Sequence, residues 1–294
     1  MPATARRYLQ LDVFADRPGA GNPLGVVLDA AGMDSDDMQA LAAWLNLSES
    51  IFFLPPEAGA DYRVRIFTPK TELPFAGHPS VGAAWAAVET GLAAPRDGRL
   101  VQQCGAGLLP VAIATDDEGR RIATVRSPRA KTVEAEPPAF PAELTALLAP
   151  GFVPQRWNNG PDFWLLQARD EATLRSPAFT AAAARVAPGD DFMAFAFTRD
   201  GDSQLAVRGF FTVKHGLIED PVTGSANALV AACLHRRGEL PANPYLASQG
   251  RELGRDGKVQ VRVDAEGEVW IGGHVQPVID GRIDWQTGGH RSAA

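Results

Sequence analysis

The segment Glu219-Asp220-Pro221-Val222-Thr223-Gly224-Ser225-Ala226-Asn227 has a counterpart earlier in the chain, Glu72-Leu73-Pro74-Phe75-Ala76-Gly77-His78-Pro79. Both read Glu-x-Pro-x-x-Gly, then a polar residue, then a helix-like pattern. Glu72 and Glu219 lie 147 residues apart, half of the 294 in the chain. Each copy follows a strand-like run opening with Val-Arg, Val64-Arg65-Ile66-Phe67 in one and Val207-Arg208-Gly209-Phe210-Phe211 in the other. A repeat at half length predicts two similar domains, not a solenoid of short units. The division is expected at 1–127 and 128–294, with a return of the C-terminal segment onto the first domain left open. Two glycine-led helix starts would then face one another across a central cleft.

Periodicity fills in the elements. Tyr8 to Phe14 and Leu24 to Leu28 read as strands around an Arg17–Pro23 turn. The glycines at 19, 21 and 25 miss the dinucleotide-binding spacing by one place, and no clear helix follows them. A helix capped at Asp34 or Ser35 runs through Met38, Leu41, Ala42 and Leu45. Further strands are expected at Ile51–Leu54, Tyr62–Phe67, Leu100–Gln103, Leu108–Ala114 and Arg121–Val125. Pro79 suits a first helical position and so makes His78 the cap, with Val81, Ala84, Trp85 and Val88 as the apolar stripe and Gly91 as the stop. Ser127 to Pro154, rich in proline, reads as a connection with one short helix at Ala142–Leu148. The second half continues with strands at Phe163–Ala168, Phe192–Phe197 and Leu205–Thr212 and a short helix at Thr180–Val186. Ser225 then caps a buried helix that ends at Gly238, and strands follow at Lys258–Val263, Glu268–Ile271 and Val275–Ile279. The tail from Thr287 is expected to fray.

Composition narrows the function. Hydrophobic and charged fractions of 45% and 21% are those of an ordinary globular chain. A net charge of −7 gives no electrostatic footprint for nucleic acid or an anionic membrane. No apolar run approaches the ~20 residues of a membrane helix. The basic start lacks the apolar core of a signal peptide, because Tyr8 to Asp12 already alternates. Only Cys104 and Cys233 occur, too far apart for a zinc site or disulfide framework. The expectation is a cytoplasmic protein handling a small molecule.

A helix N-terminus presents unpaired amides and partial positive charge, so Gly77-His78 and Gly224-Ser225 suit a small carboxylate. Asp220 adds a carboxylate before the second loop. Glu49 precedes an apolar strand. It is either a surface carboxylate in a loop or one desolvated at the mouth of a cleft and usable as acid and base. His78 either caps its own helix or contacts substrate.

Val64-x-Ile-Phe-Thr-Pro, the two glycine segments, Phe14 through Gly21-Asn22-Pro23, and Asn46-Leu47-Ser48-Glu49-Ser50 together resemble the phenazine-biosynthesis PhzF family, from about Leu9 to Ile279. The resemblance implies an α/β, diaminopimelate-epimerase-like fold: two pseudo-symmetric domains, each a rolled, mostly antiparallel sheet around a central helix. Those helices would be Pro79–Thr90 and Ser225–Arg237. It implies a homodimeric isomerase without a cofactor or metal, acting on trans-2,3-dihydro-3-hydroxyanthranilate or a similar small carboxylate. Carried over by position, Glu49 is the acid/base, with His78 and Asp220 orienting or shuttling protons. Ser48, Gly77, Gly224 and Ser225 bind substrate.

Sibling racemases with this fold use a cysteine in each glycine loop. Here those loops hold His78 and Ser225, which disfavours a two-thiol racemase. A non-catalytic small-acid binding protein, or an amino-acid epimerase with non-thiol bases, remains as an alternative.

Overall fold

The computed structural model describes residues 4–199, 201–213, 216–286 and 288. The fraying expected from Thr287 onward falls, Gly288 apart, outside the described residues. Contacts divide the chain into two units, Met1–Arg126 with Gly272–Ala294, and Ser127–Ile271. The second unit therefore ends at Ile271 rather than Ala294. The reason lies in the last strand, whose later part pairs along the first strand from Thr4↔Trp285 to Val13↔Val275.

Unit 1 contains β1 (Thr4–Val13), β2 (Asn22–Val27), α1 (Ser35–Leu45), β3 (Glu49–Leu54) and β4 (Tyr62–Phe67). It continues with β5 (Glu72–Leu73), α2 (Gly77–Glu89), β6 (Arg99–Cys104), β7 (Gly107–Thr115) and β8 (Arg121–Arg126). Unit 2 opens with β9 (Lys131–Val133), α3 (Ala142–Thr145), β10 (Gln155–Asn158), β11 (Asp162–Gln167), α4 (Glu171–Leu174) and α5 (Pro177–Ala183). Then come β12 (Phe192–Phe197), β13 (Leu205–Val213), β14 (Gly216–Asp220), α6 (Gly224–Arg237), β15 (Tyr245–Gln249) and β16 (Gly257–Val263). The final strand β17 (Val269–Trp285) begins in unit 2 and joins unit 1 from Gly272. It merges the two strands expected at 268–271 and 275–279. The proline-rich stretch after Ser127 is part of unit 2, where β9 pairs with β10.

The duplication is topological as well as sequential. In unit 1, β1–β2 is antiparallel, β2–β3 parallel, β3–β4 antiparallel, β4–β5 antiparallel, β4–β6 parallel and β6–β7 antiparallel. Unit 2 repeats that order through β10–β11, β11–β12, β12–β13, β13–β14, β13–β15 and β15–β16. Each time the helix led by glycine sits between the short returning strand and the next parallel one.

The repeated Val-Arg and Glu residues account for that short return. Arg65 forks onto Glu72 (Nε–Oε1 2.7 Å, Nη2–Oε2 2.6 Å) with its guanidinium 5.1 Å from the centre of the Phe67 ring. Arg208 does the same with Glu219 (2.8 and 2.7 Å) and lies 4.9 Å from the Phe210 ring centre. Bidentate geometry fixes the strand pair as well as binding charge. The second fork is the stronger constraint. The Arg208 side chain is fully buried and also donates to the Leu174 carbonyl (2.9 Å) and to Thr180 Oγ1 (3.0 Å), so no donor faces the apolar core alone.

α2 is buried from Gly77 through Ala87 and packs on β1 to β4 and β6 to β8. The single apolar stripe expected for it is thus corrected: the sheet wraps the helix on all sides, which its small residues permit. α6, buried at Gly224, Ala226–Ala231, Cys233 and Leu234, packs on β11 and β16. On the opposite face of unit 1, Met38, Leu41 and Ala42 of α1 close over Tyr8, Val27, Phe52 and Phe67. α4 and α5 play the same part in unit 2, with Leu174, Phe179 and Ala182 against Phe192 and Phe210.

Both helix starts correct the expected caps. α2 begins at Gly77 with Ala76 as N-cap, and α6 at Gly224 with Thr223 as N-cap; neither cap makes a side-chain bond to its helix. His78 and Ser225 are second helical residues instead. The first-turn amides of each helix are therefore not capped by their own N-cap side chain.

Candidate active site

Within unit 1, α1 stops at Asn46, whose left-handed conformation (φ 52°) swings the chain through Leu47 and Ser48 into β3. β3 pairs in parallel with β2 from Leu24↔Glu49 onward, so Glu49 stands at the very start of the strand. There it meets the start of α2. Glu49 Oε2 lies 3.3 Å from His78 Nδ1, with side-chain exposures of 17% and 5%. Glu49 is thus half-buried against the start of α2 rather than an exposed loop carboxylate. Ser48 is exposed beside it, and Gly77 is buried at the first position of α2.

Burial drives the His78 pKa from 6.5 down to about 3, with the Pro23 carbonyl working weakly in the other direction. The ring is therefore neutral at physiological pH. Its Nε2 is buried and meets no hydrogen-bond partner among the described residues. Nδ1 is the ring nitrogen that faces the Glu49 carboxylate. A neutral imidazole beside a carboxylate can pass or orient a proton without adding a charge, and a contact of this length at rest can tighten when substrate binds.

Within unit 2, Asp220 closes β14 and leads into α6. Asp220 Oδ2 accepts from Thr223 Oγ1 at 2.6 Å, and the Asp220 carbonyl accepts from Gln249 Nε2 at 3.1 Å. Gln249 in turn accepts the Thr223 amide and Asn227 Nδ2, each at 3.0 Å. Asn227 Nδ2 also donates to the Thr223 carbonyl at 2.9 Å. Asn159 Nδ2 donates to the Ser225 carbonyl at 2.9 Å and so pins the first turn. Gly224 is buried and Ser225 half-buried. The amides of Gly224, Ser225 and Ala226 have no acceptor inside their helix and carry its positive end, a ready seat for an anion.

The structure thus brings Ser48, Glu49, Gly77 and His78 together in one unit, and Asp220, Gly224 and Ser225 together in the other. Thr223, Asn227, Gln249 and Asn159 escaped the sequence reading. A signal for two of them existed. The 147-residue offset carries Ser80 and Gln102 onto Asn227 and Gln249, and both pairs are buried and hydrogen-bonded (Gln102 Nε2 to Ser80 Oγ 2.9 Å).

Thiol chemistry is ill served. Cys104 and Cys233 are free and buried, and burial pushes both thiols up, away from the thiolate form. Among the described residues no helix is long and apolar enough to cross a membrane.

Comparison with known proteins decides the family. The family model described as phenazine biosynthesis-like protein (PhzC-PhzF) matches residues 11–281. The chain belongs to this family. A trans-2,3-dihydro-3-hydroxyanthranilate isomerase of Pseudomonas aeruginosa is 33% identical over 268 residues, covering 89% of this chain and 92% of that one. A solved structure from the same organism, described as a predicted epimerase, superposes with a TM-score of 0.73 at 31% identity, over 96% of this chain and 100% of the other. A hydroxyproline epimerase from Agrobacterium vitis shares the fold at 15% identity (TM-score 0.65, 97% and 94% covered). The two-unit, diaminopimelate-epimerase-like fold implied by the sequence resemblance is the fold observed. This PhzF-family chain is an enzyme of the isomerase class.

Proposed function

We propose that the chain is a cofactor-independent isomerase that moves a proton between carbons of a small cyclic or amino-acid-like carboxylate, such as trans-2,3-dihydro-3-hydroxyanthranilate. The observation that carries this reading is the 3.3 Å approach of the Glu49 carboxylate to the neutral His78 ring at the start of α2. The 33% identical relative named for that substrate supports it. Glu49 takes a proton from the hydroxyl-bearing ring carbon and returns it to another, which leaves an enol, and the enol O–H proton then moves to carbon to give the ketone with no net gain or loss of atoms. His78 orients the carboxylate and relays its proton. Asp220 holds or relays a proton on the polar substituents of the substrate. The amides of Gly77, Gly224 and Ser225 bind its polar groups, with the carboxylate on the helix start at Gly224, and Ser48 adds a hydroxyl beside Glu49.

The test is isomerisation of trans-2,3-dihydro-3-hydroxyanthranilate in D₂O by wild type and Glu49→Gln. Wild type should form product carrying solvent deuterium. The variant should lose both by about a hundredfold or more, the range for a positioned acid/base. Equal exchange by both proteins would remove Glu49 from the chemistry. Binding without exchange in either would leave a binding protein on this fold, and α-proton exchange on amino acids would redirect the reading to an epimerase.

A further inference from the structure

Around their glycine loops the two halves repeat the same strand pairing, and they differ in a cluster beside the helix start. In unit 1, Ile66 on β4 pairs with Leu73 on β5, and the N-cap of α2 is Ala76. In unit 2 the same places hold Gly209, paired with Asp220, and Thr223 as N-cap. An apolar trio in one half is thus replaced by a carboxylate, a hydroxyl and a glycine in the other. Thr223 stands where threonine ordinarily caps a helix. Its hydroxyl makes no such bond and donates instead to Asp220 Oδ2 at 2.6 Å. Gln249, itself fully buried, holds that hydroxyl from the other side (Nε2 to Oγ1 3.0 Å) and binds the Thr223 amide. Gly209 makes the room, since a Cβ there would sit 2.7 Å from Thr223 Oγ1 and 3.3 Å from Gln249 Nε2.

We propose that Thr223 is a positioning residue for Asp220, oriented by Gln249 and admitted by the missing side chain at Gly209. Turning the hydroxyl away from the helix has a second effect: it leaves the first-turn amides of α6 open for the substrate. The inference rests on the role given to Asp220 in the proposed function.

The experiment compares Thr223→Val, Thr223→Ser, Gly209→Ala and Asp220→Asn with wild type. It measures kcat and KM for trans-2,3-dihydro-3-hydroxyanthranilate and solves crystal structures of the first three variants. Thr223→Val should lower kcat about tenfold, one charge-assisted hydrogen bond's worth, with KM within about threefold. Thr223→Ser should restore kcat, because it keeps the hydroxyl. Gly209→Ala should mimic valine by pushing the hydroxyl off Asp220. In the valine and alanine crystals the Asp220 carboxylate should leave its position while α6 stays. Wild-type kcat in Thr223→Val and Gly209→Ala, with loss in Asp220→Asn, overturns the positioning role and spares the proposed function. Wild-type kcat in Asp220→Asn sinks the role of Asp220 itself. If wild type turns over none of this substrate, the crystals decide: an unmoved carboxylate in both variants overturns the inference, and a displaced one upholds it.

Discussion

At the scale of single residues, the environment of His78 decides what the site can do. A side chain with a solution pKa of 6.5 is held neutral down to about pH 3 by burial, so it contributes no charge to the chemistry near neutrality. The same burial makes stability depend on pH. Between pH 6.5 and about 3 the unfolded chain binds a proton at this residue and the folded chain does not. Stability therefore falls as pH drops through that window, by up to about 1.4 kcal/mol per pH unit. Urea titrations at pH 7 and pH 5 should show wild type losing about 2 kcal/mol more than His78→Gln, which has no proton to gain. Equal losses would mean that the ring is protonated in the folded state. His78 and Asp220 stood out in the sequence because they sit in the glycine segments, and Glu49 because it directly precedes an apolar strand. Thr223 and Gln249 did not, because their role depends on a contact made across 26 residues of intervening chain.

At the scale of elements, α2 shows how tightly the sheet closes on its helix. Gly82 lies in the helix interior, where alanine would ordinarily gain up to about 1 kcal/mol. Here a Cβ would fall 2.4 Å from Leu24 Cδ2 and 3.0 Å from Val13 Cγ2, both fully buried residues. Gly82→Ala should instead cost about 1–3 kcal/mol of overpacking, read as a lower urea midpoint at unchanged m. A raised midpoint would show that the sheet can yield around α2. Strands with clean alternation or continuous apolar runs, such as β4 and β12, could be placed to the residue, because burial alone dictates their pattern. β15 could not. Its Ser248 and Gln249 are fully buried polar residues carrying hydrogen bonds, and they erase the alternation that marks a strand. The helix starts misled for a related reason: capping logic expects a polar residue to bond its own helix, whereas the His78 ring faces Glu49 and the Thr223 hydroxyl bonds Asp220.

At the scale of the whole molecule, the half-length repeat could be read from the sequence and the exchange of the C-terminal strand could not, since no local pattern says which sheet a strand joins. The consequence concerns completeness. β1 is flanked by β2 on one side and by β17 along its full length on the other. Ile283 and Trp285 also pack against the cluster formed by α1, Tyr8 and Phe52. The first unit therefore stays unfinished until the last residues of the chain exist, and pairing of such long sequence separation forms slowly. A chain ended after Ile271 should keep unit 2, whose strands β10 to β16 pair among themselves, while β1 becomes a bare edge prone to exchange and association. Amide hydrogen exchange is the measurement. Protection in β1 should collapse in the truncated chain while that in β12, β13 and α6 persists. Preserved protection in β1 would mean that the first half completes its own sheet. In that case the returning strand is an addition to the fold rather than part of its foundation.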